Sequence, residues 1–399
     1  MVSTNDDAIL QQATKLRREL HQIPELCFEE RQTADLIRRE LQRLRIDYAT
    51  GPETAPTATI AVLGDTRKPC VMLRADIDAL PIAEATGAQW CSQCSGVMHA
   101  CGHDGHTANL LGVAATLAGE AADLPVCVKL VFQPAEEGGA GGEKLVQAGI
   151  LGETAAFGPK VIAAFGLHGW PLYPVGTVCT RPGAILAATD NFHLSFRGRG
   201  GHAAMPHNTH DPLAAAASAV VHLQQFVSRE LDPTEPAVLS VTQFHAGTTH
   251  NVIAEEAWFE GTARTLSPEA RVQVREAIER RARGIADAGR CDLAFRWEPG
   301  YPPTINDPDM SDYVARVARE TLGPDRFVPL ARPTMGGEDF SYYLEQVPGC
   351  FFFLGLCPEG CDEYPPLHTD RFDFVDEAMA TGTHMMCELV RRFTPPAPR

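Results

Sequence analysis

The stretch Met98-His99-Ala100-Cys101-Gly102-His103-Asp104-Gly105-His106 gathers a thiol, imidazoles and a carboxylate within nine residues. Cys101 and His103 are two apart, which on extended backbone points both side chains to one face. A thiolate beside an imidazole suits a borderline-soft divalent cation. Asp104 and the helical run after it put the motif at a helix entrance. Taken alone, the motif also fits a buried cysteine beside a surface histidine. A second segment, Gln133-Pro134-Ala135-Glu136-Glu137-Gly138-Gly139, sets two carboxylates side by side where a proline ends a strand. Crowded like charges raise one pKa unless a cation lies between them. One carboxylate could bind metal while the other moves a proton; a charged loop on an acidic protein is the alternative.

His168 in Gly166-Leu167-His168-Gly169-Trp170 and His368 in Pro366-Leu367-His368-Thr369 each read as lying just beyond an apolar strand. Either one alone is better explained as a satisfied core histidine. Together, Cys101, His103, Glu137, His168 and His368 make five ligand-type groups at strand exits and helix entrances. That number suffices for two divalent ions sharing a water, the arrangement that activates a nucleophile and clamps the tetrahedral oxygens of a carbonyl under attack. Further along, His202 follows a Gly-Gly pair and could donate to an oxyanion. Asn251 and Arg264 could hold a carboxylate, Arg264 bidentately; a surface strand position is the plainer account of Arg264.

These groups need a scaffold, and the hydropathy pattern supplies one. TATIAVLG, PCVMLRA, VCVKLVFQ and VIAAFGLHG are continuous apolar strands alternating with helices, the pattern of an α/β sheet covered on both faces. In DLIRRELQRLRI the apolar residues recur at helical spacing beside a basic face. From Thr189 the pattern changes to β-α-β-β-α-β over about 110 residues, the split βαβ arrangement of a ferredoxin-like domain. Ser267-Pro268 opens its second helix as N-cap and first-turn residue. The expected fold is therefore α/β: a discontinuous catalytic domain over residues 1–187 and 299–399, with its central sheet flanked by helices. An α+β lid is inserted at 188–298.

Composition bounds the function. The 399 residues carry 34 Lys+Arg against 51 Asp+Glu, a net charge of −17, which argues against nucleic acid as a partner. No apolar run reaches the ~20 residues of a membrane span, and no secretory signal opens the sequence. Twelve cysteines without an export signal suit a reducing cytoplasm and unpaired thiols. Cys91/Cys94 lacks the second pair of a zinc ribbon, and Cys357/Cys361 could bridge if oxidised.

RADIDALP, MHACGHDGH, QPAEEGG, LHGWP, GGHAAMPH, NVI, GTART, MGGEDFSYY and LHT occur in the order found in M20-type metallo-amidohydrolases. The chain resembles the branch of hippurate hydrolase, N-acyl-amino-acid amidohydrolases and auxin-conjugate hydrolases over nearly its whole length. The resemblance implies two divalent metal ions (Zn, Mn, Co or Ni) held by Cys101, His103, Glu137, His168 and His368, with Glu136 as general base. It implies His202 as oxyanion donor, Asn251 and Arg264 as holders of the substrate's carboxylate, and a homodimer or higher homo-oligomer through the lid. Other branches carry His-x-Asp where this chain has Arg74-Ala75-Asp76; Cys101 replaces that histidine, leaving Asp76 and Asp78 to orient ligands by hydrogen bonding. The implied reaction is hydrolysis of small-molecule N-acyl amino acids. A metallo-dipeptidase or carboxypeptidase of the same fold is the near rival. A non-catalytic binding protein and a thiol hydrolase using Cys101 as nucleophile are more distant ones.

Overall fold

The computed structural model describes residues 4–361 and 363–395. In chain order the elements are α1 (Thr4–Gln22), α2 (Arg31–Arg43), β1 (Tyr48–Thr50), β2 (Thr59–Leu63), β3 (Cys70–Asp76), α3 (His103–Ala118), β4 (Cys127–Gln133) and α4 (Gly141–Gln147). Next come β5 (Val161–Pro174), β6 (Val178–Thr180), β7 (Gly183–Leu186), β8 (Ala188–Arg197), β9 (Gly201–His202) and α5 (Pro212–Arg229). They are followed by β10 (Ala237–Ala246), β11 (Val252–Ile253), β12 (Glu256–Thr265), α6 (Pro268–Gly289) and β13 (Asp292–Pro299). The last are β14 (Thr304–Asn306), α7 (Pro308–Thr321), β15 (Phe327–Pro329), α8 (Ser341–Leu344), β16 (Gly349–Cys357) and α9 (Ala378–Arg391).

Two compact units result. The first comprises Met1–Gly183, Ile305–Arg332 and Asp339–Arg399; the second comprises Ala184–Thr304 and Pro333–Glu338. The divisions fall a few residues outside 187 and 299, and no composition shift marks the short return at 333–338.

The first unit is built on a mixed sheet in the order β1-β2-β4-β3-β5-β16-β6-β15. Its centre is parallel: β3 pairs with β4 and β5, and β5 with β16. Every residue of β3 and β4 is buried, so both faces of these strands are covered and their sequences run apolar without alternation. Lys129, inside β4, is satisfied by donating Nζ to the carbonyls of Ile150 and Pro159 at 2.6 and 2.9 Å. Helix α3 is buried over nearly its whole length against this sheet, whereas α2 buries Leu36, Ile37 and Leu41 and leaves Arg31, Arg39 and Arg43 outward. The carboxyl ends of parallel strands are where open α/β sheets build their sites.

The second unit has the antiparallel order β10-β12-β8-β13, with α5 and α6 packed on one face around Phe192, Phe196, Leu223, Phe259 and Ile278. This is the split βαβ topology expected from the sequence. Its helices start on polar caps: Asp211 accepts from the Leu213 and Ala214 amides, and Ser267 Oγ from the Ala270 amide at 3.1 Å.

Three local expectations are corrected. Cys101 and His103 do not lie on extended backbone: Gly102 turns the chain between them at φ +85°, and His103 is the first residue of α3. His168 lies inside β5 rather than beyond it, because the long apolar strand β16 keeps pairing past that point, with Phe353 opposite His168 and Leu354 opposite Gly169. His368 is also not at a strand exit. It sits in a loop well after β16, itself at φ +62°, with its N–H donated to the Ala100 carbonyl at 2.8 Å.

Candidate metal centre

The first unit brings Cys101, His103, Glu137, His168 and His368 together. Cys101 Sγ lies 3.3 Å from both His168 Nε2 and His368 Nε2. Two sets of donor atoms share that sulfur, Cys101 with His103 and His168, and Cys101 with Glu137 and His368; within each set all donors lie within 4.8 Å of one another. His103, Glu136 and Glu137 form a third such set.

Two of the candidate imidazoles are aimed by hydrogen bonds to groups outside the five. His103 Nδ1–H donates to the Asp78 carbonyl (2.9 Å) and to Asp78 Oδ1 (3.2 Å), which turns Nε2 inward. His168 Nδ1–H donates to the Gly169 carbonyl at 2.8 Å, with the same effect. Asp78 Oδ2 also accepts the Glu137 N–H at 2.9 Å, so one carboxylate orients two neighbouring donors. Asp76 accepts from His106 Nδ1 (2.6 Å) and from the buried Arg74 (2.7 Å); His106 Nε2 in turn accepts the Gly169 N–H (2.8 Å). That chain pins β5 beside His168.

The electrostatics are those of a site built for positive charge. Burial, followed by the nearby Glu137, Glu136 and Asp76, pushes the Cys101 thiol well above its usual range, so a thiolate there needs a cation beside it. Burial works to discharge His103, but Asp76 and Asp78 overcome it and carry the ring up to about 10. His168 is held well below the usual histidine range by burial and by neighbouring His106, so it is neutral. Burial opposes the charge on Asp76, yet His103, His106 and Arg74 keep it ionised well below the carboxylate range. Two atoms complete the test. His103 Nε2 is buried without a hydrogen-bond partner among the described residues, and Glu137 Oε1 lies 3.1 Å from His368 Nε2 but misaligned for a hydrogen bond. Buried polar atoms of this kind call for a partner such as an ion. A thiol, three imidazoles and a carboxylate fit divalent metal; binding would displace the protons these groups otherwise hold.

Glu136 is buried next to this cluster. Its Oε1 lies 3.4 Å from the Asp339 N–H, and Asp339 closes a network beneath it. Arg74 donates to Asp339 (2.8 Å) and to Gln133 Oε1 (2.9 Å), Gln133 Nε2 donates to both Asp339 oxygens (2.8 Å), and the Gly142 N–H adds a fourth contact at 2.8 Å. Burial pushes Asp339 up to about 6 against the pull of Arg74. Sequence reasoning missed His106, Gln133 and Asp339 as parts of this frame. His106 lies inside the ligand motif, but nothing in the spacing separates an orienting histidine from a ligating one. Asp339 meets Arg74 from 265 residues away. Tyr343, which ends the MGGEDFSYY segment, is fully buried and donates its hydroxyl to Gln133 Oε1 at 3.0 Å.

The remaining candidates belong to the second unit. His202 and Asn251 are neighbours there: the short β9 and β11 pair His202 with Val252, and the Ala203 N–H donates to the Asn251 carbonyl at 3.0 Å. Both side chains are exposed. His202 Nδ1 accepts the Ala204 N–H (3.1 Å), leaving its proton on Nε2, and Asn251 Oδ1 accepts from the Thr249 hydroxyl (3.2 Å). Arg264 is half-buried on β12, opposite Thr189 of β8.

Residues 72–392 match peptidase family M20/M25/M40. An N-acetylcysteine deacetylase of Bacillus subtilis is 38% identical over 388 residues, covering 96% of this chain and 97% of that protein. An IAA-amino acid hydrolase ILR1-like 4 of Arabidopsis thaliana is 37% identical over 382 residues, covering 95% of this chain and 84% of that one. Among solved structures, the Bacillus subtilis YXEP protein, described as a dinuclear metal-binding peptidase from the M20 family, superposes with a TM-score of 0.83 at 36% identity, covering 96% and 98% of the two chains.

Proposed function

The chain belongs to peptidase family M20/M25/M40, and from that premise we propose that it hydrolyses the amide bond of N-acyl amino acids to a carboxylic acid and a free amino acid. It is a metal-dependent amidohydrolase. The observation that carries the proposal is the pair of donor sets sharing Cys101, with Glu136 buried beside them.

We assign one ion to Cys101, His103 and His168 and a second to Cys101, Glu137 and His368; the donor set suits Zn, Co or Ni by its softness, and likeness to the family admits Mn as well. When bound, such ions supply Lewis-acid charge and a lowered pKa for water. Glu136 is the general base: it takes a proton from the attacking water and returns it to the leaving amine nitrogen. The Asp339 amide steadies one of its oxygens. His202, with its proton on Nε2, is assigned to the oxyanion, and Asn251 and Arg264 to the carboxylate of the amino-acid half.

A homodimer through the second unit is part of the proposal. β10 is an edge strand with Phe244 exposed, and Leu213 and Val221 stand outward on α5. We place the protein in the cytoplasm because all twelve cysteines are free, as a reducing compartment keeps them. No described helix is long and apolar enough to cross a membrane.

The test is a panel of N-acetyl, N-benzoyl and long-chain acyl amino acids and dipeptides, with free amine as the readout, with and without EDTA. Hydrolysis of acyl amino acids abolished by EDTA is the expected result. Protein holding two ions that cleaves only dipeptides would establish the peptidase reading instead, and activity indifferent to EDTA would remove the metal.

A further inference from the structure

Glu30 takes no part in the chemistry above, yet it is fully buried and spends both oxygens on specific partners. Oε1 accepts the Phe28 N–H at 2.8 Å and the Ala135 N–H at 3.0 Å, and Oε2 accepts the Thr57 hydroxyl at 2.6 Å. Phe28 and Ala135 are both non-glycine residues in the left-handed region, at φ +62° and +59°. Such residues persist only where their surroundings over-determine them, and they cluster at functional sites. Ala135 immediately precedes Glu136. On the other side of Glu136, the Glu137 N–H is tied to Asp78 Oδ2 at 2.9 Å. The two amides that bracket Glu136 are thus each held by a carboxylate from a different part of the chain.

We propose that Glu30 is a positioning residue that locks the left-handed backbone at Ala135 and so fixes where the Glu136 carboxylate points. The proposal rests on the assignment of Glu136 as general base. With Ala135 left-handed, its N–H turns into the interior, where Glu30 Oε1 receives it. Without that acceptor the buried donor is stranded, and the backbone relieves itself by leaving the left-handed region, which swings the next side chain. The surrounding packing couples the same two segments. A Cβ built on Gly139 would stand 2.5 Å from Cys27 Sγ and 2.8 Å from the Phe28 ring, so the turn after Glu137 rests directly on residues 27–28. Gly141 N–H closes the turn on the Ala135 carbonyl at 3.2 Å. The contact to Glu137 runs through Asp78 and not Glu30, so loss of Glu30 disturbs the base more than the ligand.

The acceptor matters here, not the charge. Burial raises Glu30 to about 7 against the Thr57 hydrogen bond, and protonation at Oε2 leaves Oε1 free to accept both amides. Glu30→Gln keeps that acceptor at the same reach. Glu30→Asp keeps the charge but withdraws it by one methylene, and Glu30→Met fills the space with no acceptor.

The experiment measures kcat, KM, bound metal and amide hydrogen exchange of the segment spanning residues 130–139 in the full-length, metal-loaded variants. Glu30→Gln is expected within about threefold of wild-type kcat. Glu30→Asp and Glu30→Met are expected to lose at least tenfold in kcat, since ångström-scale misplacement of a reacting group costs up to about 10²-fold. Their KM and metal content should be unchanged, and exchange over 130–139 should be faster. A charge effect does not produce the ordering of Gln above Asp, and unchanged KM and metal content in a folded Glu30→Asp protein separate it from general destabilisation. If Glu30→Met fails to fold, the Gln–Asp comparison decides alone. Wild-type kcat in Asp, Gln no better than Asp, or unaltered exchange would each overturn the proposal. Glu136→Gln run alongside separates the two readings. If it keeps turnover, the base assignment fails and this proposal with it; if it is inactive while Glu30→Asp runs at the wild-type rate, only the role of Glu30 falls.

Discussion

Asp78→Ala tests how much of the metal affinity is set by groups that would never touch metal. Asp78 Oδ1 accepts from His103 Nδ1 at 3.2 Å and Oδ2 from the Glu137 N–H at 2.9 Å, so truncation removes one partner from each of two proposed ligands. His103 retains the Asp78 backbone carbonyl at 2.9 Å, which keeps its tautomer. The Glu137 amide retains no such substitute, and a buried donor left unpaired costs about 1–3 kcal/mol. Loss of an outer partner behind a ligating side chain typically costs about 10–100-fold in metal affinity, or about 1.4–2.7 kcal/mol. The two routes agree on the scale, so we expect the dissociation constant of the weaker ion to rise about 10–100-fold. Competition with a chromogenic chelator at fixed pH reads this directly, and the thermal midpoint of the metal-free protein separates it from loss of fold. Asp78→Asn, which keeps an acceptor oxygen, should fall between. Wild-type affinity for both ions in a folded Asp78→Ala protein would refute the reasoning.

Other outcomes follow from the same geometry. Cys101→Ala removes the sulfur common to both donor sets, so elemental analysis should find fewer than two ions per chain; unchanged stoichiometry would take Cys101 off the ligand list. Glu30, at about 7 in the folded protein, binds its proton more tightly folded than unfolded, so its contribution to stability is present below about pH 4.5 and is lost as pH rises through 7. Glu30→Gln should abolish that slope and gain on wild type by up to about 3 kcal/mol between pH 4.5 and 7.5; parallel urea midpoints across that range would contradict it. Gly105→Ala drives a methyl group into the Phe374 ring at the start of α3. It should cost about 1–3 kcal/mol as overpacking, seen as a lower thermal midpoint, and an unshifted midpoint would show that the ring moves freely.

Much of the fold was legible because its strands are buried on both faces. The run Cys70–Leu73 is continuously apolar, as a strand covered on both faces requires, and the switch to alternation after Thr189 marks a sheet with one open face. The candidate ligands were legible as residue types next to such strands. What spacing could not give was the path of the backbone between them. Gly102 makes Cys101 and His103 neighbours by a left-handed turn, and His368 reaches Cys101 from a loop tethered to Ala100, a contact with no local signature. The frame was the least legible part. Arg74, Gln133 and Asp339 are distant in sequence, and each is an ordinary polar residue until burial forces it to find partners. Glu30 is hidden for the same reason: among the carboxylates around the end of its loop, only its contacts with Phe28 and Ala135 set it apart.

Glu136 is proposed to move the proton while Cys101, His103, Glu137, His168 and His368 are proposed to hold the cations. The measurement that meets this head-on is the turnover of Glu136→Gln after its metal content has been determined. Two ions per chain with turnover reduced at least ~10²–10⁴-fold is the result predicted for loss of a positioned general base. The same metal content with turnover close to wild type would contradict the account.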